Sequence, residues 1–511
     1  MSSGISRVGV VGSGAMGRGI AQICALSGKT VMLFDAGHQV VEKALAGIAQ
    51  AISIDVQKGR LDDRAAQQAA KALIAIDNLE ALRDCELVIE AITEDLDAKL
   101  HLLSSLDDVV DASCILASNT SSLSITSLAS KCRYPGRVAG MHFFNPVPRM
   151  RLVEVIRGLK TEDAVIAQLK AVGHDIGKEV VEVNDTPGFL VNQIGRGYTL
   201  EAVNVVAEGV ASYAQIDQIM REAAGFRMGP FELLDLVGLD VNHPATELIY
   251  NQLFQEPRYR PSSLMSLRLQ AGTLGRKTGE GYYRYEVGAP GKHGAKPLQA
   301  NLPAPSAPHV SAPVWVSSAT PEAGDTLRAL ASSLGASIEA GTRPSDKALC
   351  LVTPMGRDAS RTAAIEGLDP VRTVAVDTLF GLQTHRTLMT TCVTSRAWRD
   401  MAHAIFSADG VPVTVIRDSP GFVAQRIVAM IMNIGGALAQ SRTAAPQDID
   451  RAVVLALAYP HGPLGFANRL GAASVSRLLD GLYESFRDPR YRPALWLARR
   501  AALDMDFCEG D

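Results

Sequence analysis

The sequence predicts a doubly wound, mostly parallel α/β sheet followed by an all-helical domain, then a smaller, degenerate α/β segment and a second helical domain. Three observations carry this. Apolar strand-like runs alternate with helix-period segments over some 180 residues, the pattern of strand–helix–strand units. At Asp185-Thr186-Pro187-Gly188-Phe189 the pattern changes to helix alone. That string returns as Asp418-Ser419-Pro420-Gly421-Phe422, an offset of 420 − 187 = 233, and a repeat at fixed offset is a duplicated structural unit. The same offset carries Asp217 onto Asp450 and Pro230 onto Pro463. A chain of 511 residues is in any case too long for one core.

The elements follow in order. Residues 5–11 are a β-branched run that stops at Gly12-Ser13-Gly14-Ala15-Met16-Gly17; helix periodicity then runs to about Ser27, and a second strand spans Thr30–Phe34 with Asp35 at its end. Residues 38–72 read as helix, with an apolar stripe through Val41, Leu45, Ile48, Ile52 and Val56, ending near Lys58-Gly59. A crossover this long exceeds what strand connection requires and can form part of a substrate site. The next strand covers Leu87–Ile92, followed by Glu94 and a helix carrying Lys99. Two short buried strands, 114–117 and 137–140, lead into Ser118-Asn119-Thr120-Ser121-Ser122 and Met141-His142-Phe143-Phe144-Asn145-Pro146; polar residues there sit where such sheets bind ligands. Strands at 152–156 and 179–183 complete the first domain. The expected divisions are 1–184, a nucleotide-binding sheet; 185–287, helical; 288–312, a proline-rich linker; 313–417, degenerate α/β; and 418–511, the second helical copy.

Composition excludes several classes. Mixed charges summing to −4, with no dense Lys/Arg run, leave no footprint for nucleic acid or an anionic membrane. Seven scattered cysteines form no CxxC pair and no metal-ligand spacing, which predicts no metal site and a reducing cytoplasm. The first residues run into a strand with no basic flank or cleavage site and do not read as a signal peptide. The apolar stretch Ile427–Ala439, broken by Asn433 and two glycines, reads as a buried helix rather than a membrane span.

GxGxxG alone is a weak signal, but here a strand precedes it, a helix follows, and an acid stands 35 − 17 = 18 residues beyond its last glycine. Gly12 allows the tight turn, Gly14 the approach of backbone N–H groups to a pyrophosphate, and Gly17 close helix–strand packing. The phosphates would lie at a helix N-terminus. Asp35 would bind the ribose hydroxyls and repel a 2′-phosphate, and with Ala36 and Gly37 following in place of an arginine, NAD is expected over NADP.

With these strings in hand, the chain resembles the 3-hydroxyacyl-CoA dehydrogenase family. The resemblance rests on Gly12–Ala21, Ala117–Ser122, His142–Pro146, Leu152–Val155 and Pro187–Asn192, in that order. It implies a Rossmann-type NAD domain, an acyl-CoA substrate, and a catalytic pair at His142 and Glu154. It also implies that Ser121 and Asn192 hold the substrate's oxygen atoms, that Glu94, Lys99, Asn145 and Lys277 contact the cofactor with the Gly12–Gly17 loop, and that Lys58 meets coenzyme A. A serine that often accompanies that lysine is Ala51 here. Chemistry agrees: oxidising a secondary alcohol with NAD needs a base of near-neutral pKa, which histidine supplies, and Glu154 on the other ring nitrogen would fix its tautomer.

The second half is expected to be scaffold. At the offset of 233 Asn192 becomes Gln425, and aligning Leu388-Met389-Thr390 with Leu152-Val153-Glu154 turns the glutamate into Thr390. His385 and His403 fall in no motif and read as structural or surface residues. In short members of the family helical domains pair across a dimer; a tandem copy would supply that partner within one chain, giving a monomer with an internal pseudo-dimer, or else the chain is a homodimer. The resemblance implies 3-hydroxyadipyl-CoA, as in long members with a degenerate second half assigned to phenylacetate breakdown, or 3-hydroxybutyryl-CoA in fatty-acid catabolism as the substrate; a dicarboxylate would want a cation, for which Arg149 and Arg151 are the candidates. Two other readings are a β-hydroxyacid dehydrogenase without CoA, disfavoured because its catalytic base would be a lysine, and a catalytically silent NAD-binding protein, disfavoured by the intact site residues.

Overall fold

The computed structural model describes residues 3–285 and 312–510. The expected linker, 288–312, lies outside the described residues apart from Ala312. The chain forms two compact units, one of residues 1–192 with 441–457, the other of 193–440 with 458–509.

The first unit is built on an eight-stranded sheet of order β3-β2-β1-β4-β5-β6-β7-β8. Its strands are β1 (Arg7–Val11), β2 (Thr30–Phe34), β3 (Leu73–Ala75), β4 (Leu87–Glu90), β5 (Ile115–Ser118), β6 (Val138–Phe143), β7 (Leu152–Arg157) and β8 (Glu179–Asn184). All neighbours are parallel except β6 and β7. Residues of β4, β5 and β6 are buried throughout, as a sheet covered on both faces requires. Helices α1 (Ala15–Leu26), α2 (His38–Gln57), α3 (Asp63–Ala72), α4 (Leu96–Val109), α5 (Ile125–Ala129) and α6 (Asp163–Asp175) make the connections.

The structure sharpens the reading at three places. The helical stretch 38–72 is two helices that part at the expected end near Lys58-Gly59: Gly59 takes φ +66°, and Asp62 caps α3 by accepting from the Ala65 N–H at 2.8 Å. The short edge strand β3 carries too few residues to show alternation. His142 lies inside β6, not after it, because the strand runs on to Phe143.

The second unit begins with α7 (Val191–Ala207), whose first residues belong to the first unit, and continues through α8 (Tyr213–Glu222), α9 (Pro230–Val237), α10 (Leu239–Gln252) and α11 (Ser263–Gln270). A five-stranded sheet follows: β9 (Val314–Val316), β10 (Leu349–Val352), β11 (Thr373–Val376), β12 (Arg386–Thr390) and β13 (Val413–Ile416), in the order β13-β12-β11-β10-β9. Helices α12 (Pro321–Ser333), α13 (Ala359–Glu366) and α14 (Arg396–Phe406) connect it, and α15 (Ala424–Gln440) opens the second helical copy. Ile427–Ala439 is the buried centre of α15, as its composition predicts, and no helix among the described residues is long and apolar enough to cross a membrane. After α16 (Pro446–Leu457), which belongs to the first unit, come α17 (Pro463–Leu470), α18 (Ala472–Phe486) and α19 (Leu495–Ala502).

The five-stranded sheet repeats β4–β8, with one antiparallel pair, β11 and β12, in the same place. Register makes the match residue by residue. Ile156 lies opposite Val183 in the first sheet and Met389 opposite Ile416 in the second, and 389 − 156 = 416 − 183 = 233. Glu154 therefore corresponds to Thr387, not to Thr390 as the sequence alignment had it; similar apolar triplets three residues apart misled it. His142 faces Glu154 across β6 and β7, and the residue facing Thr387 is Asp377, whose N–H donates to the Thr387 carbonyl at 3.0 Å.

One edge of each sheet, β8 and β13, meets the other copy's helical repeat. Asn184 N–H on β8 donates to Thr443 O at 2.7 Å, and Arg417 N–H beyond β13 to Val210 O at 3.0 Å, again 233 residues apart on both sides. Covering an edge removes its unpaired backbone groups.

Candidate active site

The glycine loop has the geometry a dinucleotide needs. Gly12 has φ +100°, and a Cβ there would come within 2.5 Å of the Ala91 carbonyl oxygen; at Gly17 a Cβ would lie 1.8 Å from the Gly12 oxygen. Gly14 faces open space and caps α1 with no side chain, so its first-turn N–H groups are left for an anion. Ala15 and Met16 form that first turn. Asp35 Oδ2 accepts from the Ser13 N–H at 2.7 Å and Oγ at 2.8 Å, which ties the acid at the end of β2 to the loop.

His142 and Glu154 stand directly opposite on β6 and β7, and imidazole Nδ1 lies 2.6 Å from Glu154 Oε2. Glu154 is fully buried, and its second oxygen accepts the N–H groups of Val191 (3.0 Å) and Leu190 (3.3 Å) at the start of α7. With one oxygen held by the helix N-terminus, the other can only orient the ring. Phe144 and Phe189 pack on the imidazole at centroid distances of 4.5 and 5.8 Å. The ring is thus fixed with Nδ1 committed and Nε2 left for proton transfer.

Ser121 and Asn192 meet: Asn192 Nδ2 donates to the Ser121 carbonyl at 3.2 Å, and both are half-buried. Asn119, one residue after β5, accepts the Phe143 N–H at 2.9 Å and so couples the serine-rich string to the strand that carries His142. Glu94 Oε1 accepts from Thr120 Oγ1, the Ser121 N–H and Ser122 Oγ at 2.7–2.9 Å. Burial raises its pKa, but Lys99 and these donors outweigh that and hold it below the usual carboxylate range.

Lys99 is 1 % exposed and pairs with Glu90 at 2.7 Å and with Glu94 at 3.5 Å; Glu90 also accepts from Ser118 Oγ. In the sequence Glu90 reads only as part of the strand Leu87–Ile92, and Ser118 only as the first residue of the polar string Ser118–Ser122, neither with a role of its own. Asn145 is exposed just after β6, and Lys58 is exposed at the C-terminus of α2. Lys277 belongs to the second unit, where its ammonium pairs with Asp240 at 2.7 Å. The cations named for a dicarboxylate fare poorly. Arg149 is exposed, and Arg151 is exposed in a pair with Glu179 at 3.3 Å. Among the described residues no cluster of three or more metal-ligating side chains occurs.

This geometry matches what comparison with known proteins finds. Residues 7–186 match the domain described as 3-hydroxyacyl-CoA dehydrogenase, NAD binding domain, and residues 188–285 and 421–504 match the C-terminal domain of the same family. The chain belongs to the 3-hydroxyacyl-CoA dehydrogenase family. It is 34% identical over 510 residues to the 3-hydroxyadipyl-CoA dehydrogenase of Escherichia coli K12, covering 99% of this chain and all of that one. A probable 3-hydroxybutyryl-CoA dehydrogenase of Bacillus subtilis is 39% identical over 282 residues, 55% of this chain but 98% of its own length. Among solved structures, a 3-hydroxybutyryl-CoA dehydrogenase from E. coli K12 superposes with a TM-score of 0.85 at 34% identity, covering 98% of this chain and 99% of that one. The dehydrogenase family thus includes chains of the length of the first half alone as well as chains of this length.

NAD is the cofactor of this domain, and when bound it supplies the hydride acceptor. Of the residues in place, α1 and the glycine loop would hold the pyrophosphate and Asp35 the adenosine ribose, and Nε2 of His142 would be free to take the hydroxyl proton.

Proposed function

We propose that this NAD-dependent 3-hydroxyacyl-CoA dehydrogenase oxidises an (S)-3-hydroxyacyl thioester reversibly at one site per chain, within residues 118–192. His142 is the general base, Glu154 orients it and favours the imidazolium that forms, and Ser121 and Asn192 position the substrate oxygens. Glu94, Lys99, Asn145 and Lys277 serve the cofactor, and Lys58 the coenzyme A. The observation that carries this reading is the His142–Glu154 pair, 2.6 Å apart, with the carboxylate's other oxygen held at the start of α7. The test is NADH oxidation with acetoacetyl-CoA against free acetoacetate. Turnover of the thioester and not of the free acid is expected; preference for the free acid would favour a β-hydroxyacid dehydrogenase.

The domain reading assigns 1–184 to NAD binding, 185–287 to the substrate-side helices, 313–417 to a reduced sheet and 418–511 to the second helical copy. In it the second copy is the structural partner of the first. What supports this is the packing of α7 on α15: Gly197 backs onto Met430, Ile431 and Ile434, and fully buried Arg426 pairs with Glu201 and, at 2.5 and 2.6 Å, with Glu208. A chain truncated after Tyr285 is expected to lose stability or self-associate; one that stayed monomeric and fully active would contradict this role. Residence in a reducing cytoplasm belongs to the same reading and is supported by seven cysteines that are all free.

A further inference from the structure

A cleft of about 1000 Å³ in the second unit is lined by the start of α8 and the turn before it, by β13 and by one face of α14. Among the described residues its charged side chains are Arg396, Arg399, Arg417 and Asp400, a balance of 3 − 1 = +2. Arg399 and Arg396 share Asp400, at 2.7 and 3.4 Å. Arg417 is exposed, and no carboxylate among the described residues pairs with it. His385 and His403 also line the cleft, but burial lowers the pKa of both, which keeps them uncharged at neutral pH. His385 moreover commits its ring nitrogens to Glu222 at 2.7 Å and Thr414 at 2.9 Å.

The repeat supplies the control. At the offset of 233 the same place in the first unit is closed by ion pairs: Glu182 of β8 with Arg157 at 2.8 Å and Lys170 at 3.0 Å, Arg157 with Asp163 at 2.6 Å, and Arg451 of α16 with Asp448 at 2.7 Å. In the second copy these three acids become Val415, Arg396 and Gln215, and their cations become Thr390, His403 and Gln218. New cations stand elsewhere, Arg399 in place of Ile166 and Arg417 in place of Asn184, with Asp400 in place of Ala167. A balanced set has thus been exchanged for one of a single dominant sign. The helix ends tell the same story: α6 has Asp163 in its first turn, whereas α14 opens on Arg396 with no acid in its first turn and no side-chain cap. Cations there oppose the helix dipole and repel one another, so the arrangement costs stability unless an anion sits among them.

From this we infer that the cleft binds an organic phosphate monoester, at a site additional to the catalytic one. A phosphate monoester carries close to two negative charges at neutral pH and three acceptor oxygens, which matches a net charge of +2 presented on guanidinium forks. The uncapped N–H groups at the start of α14 add further donors for an anion. Val210, Val415 and Ile416 give the cleft an apolar wall for the organic body, and its volume is that of a small-molecule site. NADH is not the ligand, because its bridging phosphates are diesters with one charge each.

The test is calorimetric titration of the full-length chain, saturated with NADH, with glucose 6-phosphate, adenosine 3′,5′-bisphosphate and succinate, as wild type, Arg396→Asp and Arg417→Asn. Each substitution installs the residue found at the equivalent place in the first copy. Wild type should bind a phosphate monoester more tightly than succinate, and more weakly as salt is raised. Arg396→Asp should weaken that binding by on the order of 10²-fold and Arg417→Asn by about tenfold, the worth of hydrogen bonds to a charged group, while both keep wild-type turnover of acetoacetyl-CoA. Preference for the bisphosphate would point to the nucleotide end of coenzyme A as the source of the ligand, and preference for glucose 6-phosphate to a free sugar phosphate. No phosphate binding by wild type, succinate bound as tightly, or phosphate binding that both substitutions leave unchanged would overturn the inference. Arg417→Asn, at an exposed position, keeps the test decisive should Arg396→Asp fail to fold.

Discussion

The two sheets of this protein share a strand order and a register but not a chemistry. In the first, His142 and Glu154 face each other across an antiparallel pair, and Asn192 meets the serine-rich string. In the second, Asp377 and Thr387 hold the corresponding places, and Gln425 holds that of Asn192. There the side chain turns inward: Gln425 Nε2 donates to Asp377 Oδ1 at 2.9 Å, and its Oε1 accepts the Gly356 N–H at 3.2 Å. Among the described residues the second sheet has no counterparts of β1–β3, nor of the glycine loop and Asp35 that go with them. Packing and register hold the same backbone geometry in both sheets, while the side chains placed on it differ, because a fold does not by itself fix the chemistry of a site.

Breaking the first site should have the largest effect. His142→Ala is expected to lower kcat with acetoacetyl-CoA by on the order of 10²–10⁴-fold, the worth of a general base. Loss of less than tenfold would move the base elsewhere. Glu154→Gln keeps the shape but offers Nδ1 a less suitable partner, and a loss of roughly 10–10²-fold is expected, as for other residues that orient a histidine. An unchanged kcat and pH profile would show that the glutamate is structural only.

The same substitution logic in the second sheet should leave turnover alone and change stability. Burial raises the Asp377 carboxyl to about 6, against hydrogen bonds from Gln425, Leu379 and Phe380. A carboxyl whose folded pKa lies above its unfolded value favours the folded state when protonated, so its destabilisation is absent below about pH 4, grows as pH rises to about 6, and is full above that. Asp377→Asn is therefore expected to raise stability at pH 7–8 by on the order of 1–3 kcal/mol, and with it the thermal midpoint, and to flatten the pH dependence of stability between about 4 and 6. Thermal melts across pH check this; a variant less stable at pH 8 would contradict it. A tenfold fall in kcat in the same variant would mean that the second sheet is not chemically silent.

Much of the first sheet was legible in sequence because its signals are local. The glycine loop, Asp35 and the strings ending at Ser122 and Pro146 each lie within a few residues, and strand alternation framed them. The edge strand β3 was too short to announce itself. The buried Glu90–Lys99–Ser118 cluster was hidden because its members come from three elements that meet only in the fold. The correspondence of Glu154 with Thr387 needed hydrogen-bond register, which sequence alone does not carry.

The central claim is that only the first copy is competent for cofactor and chemistry. Calorimetric titration of the full-length chain with NADH tests it most directly. One NADH per chain is expected, with binding weakened by Gly14→Val, whose side chain would occupy the open face where the pyrophosphate is to lie. Two NADH per chain, or one whose binding is unaffected by that substitution, would contradict it.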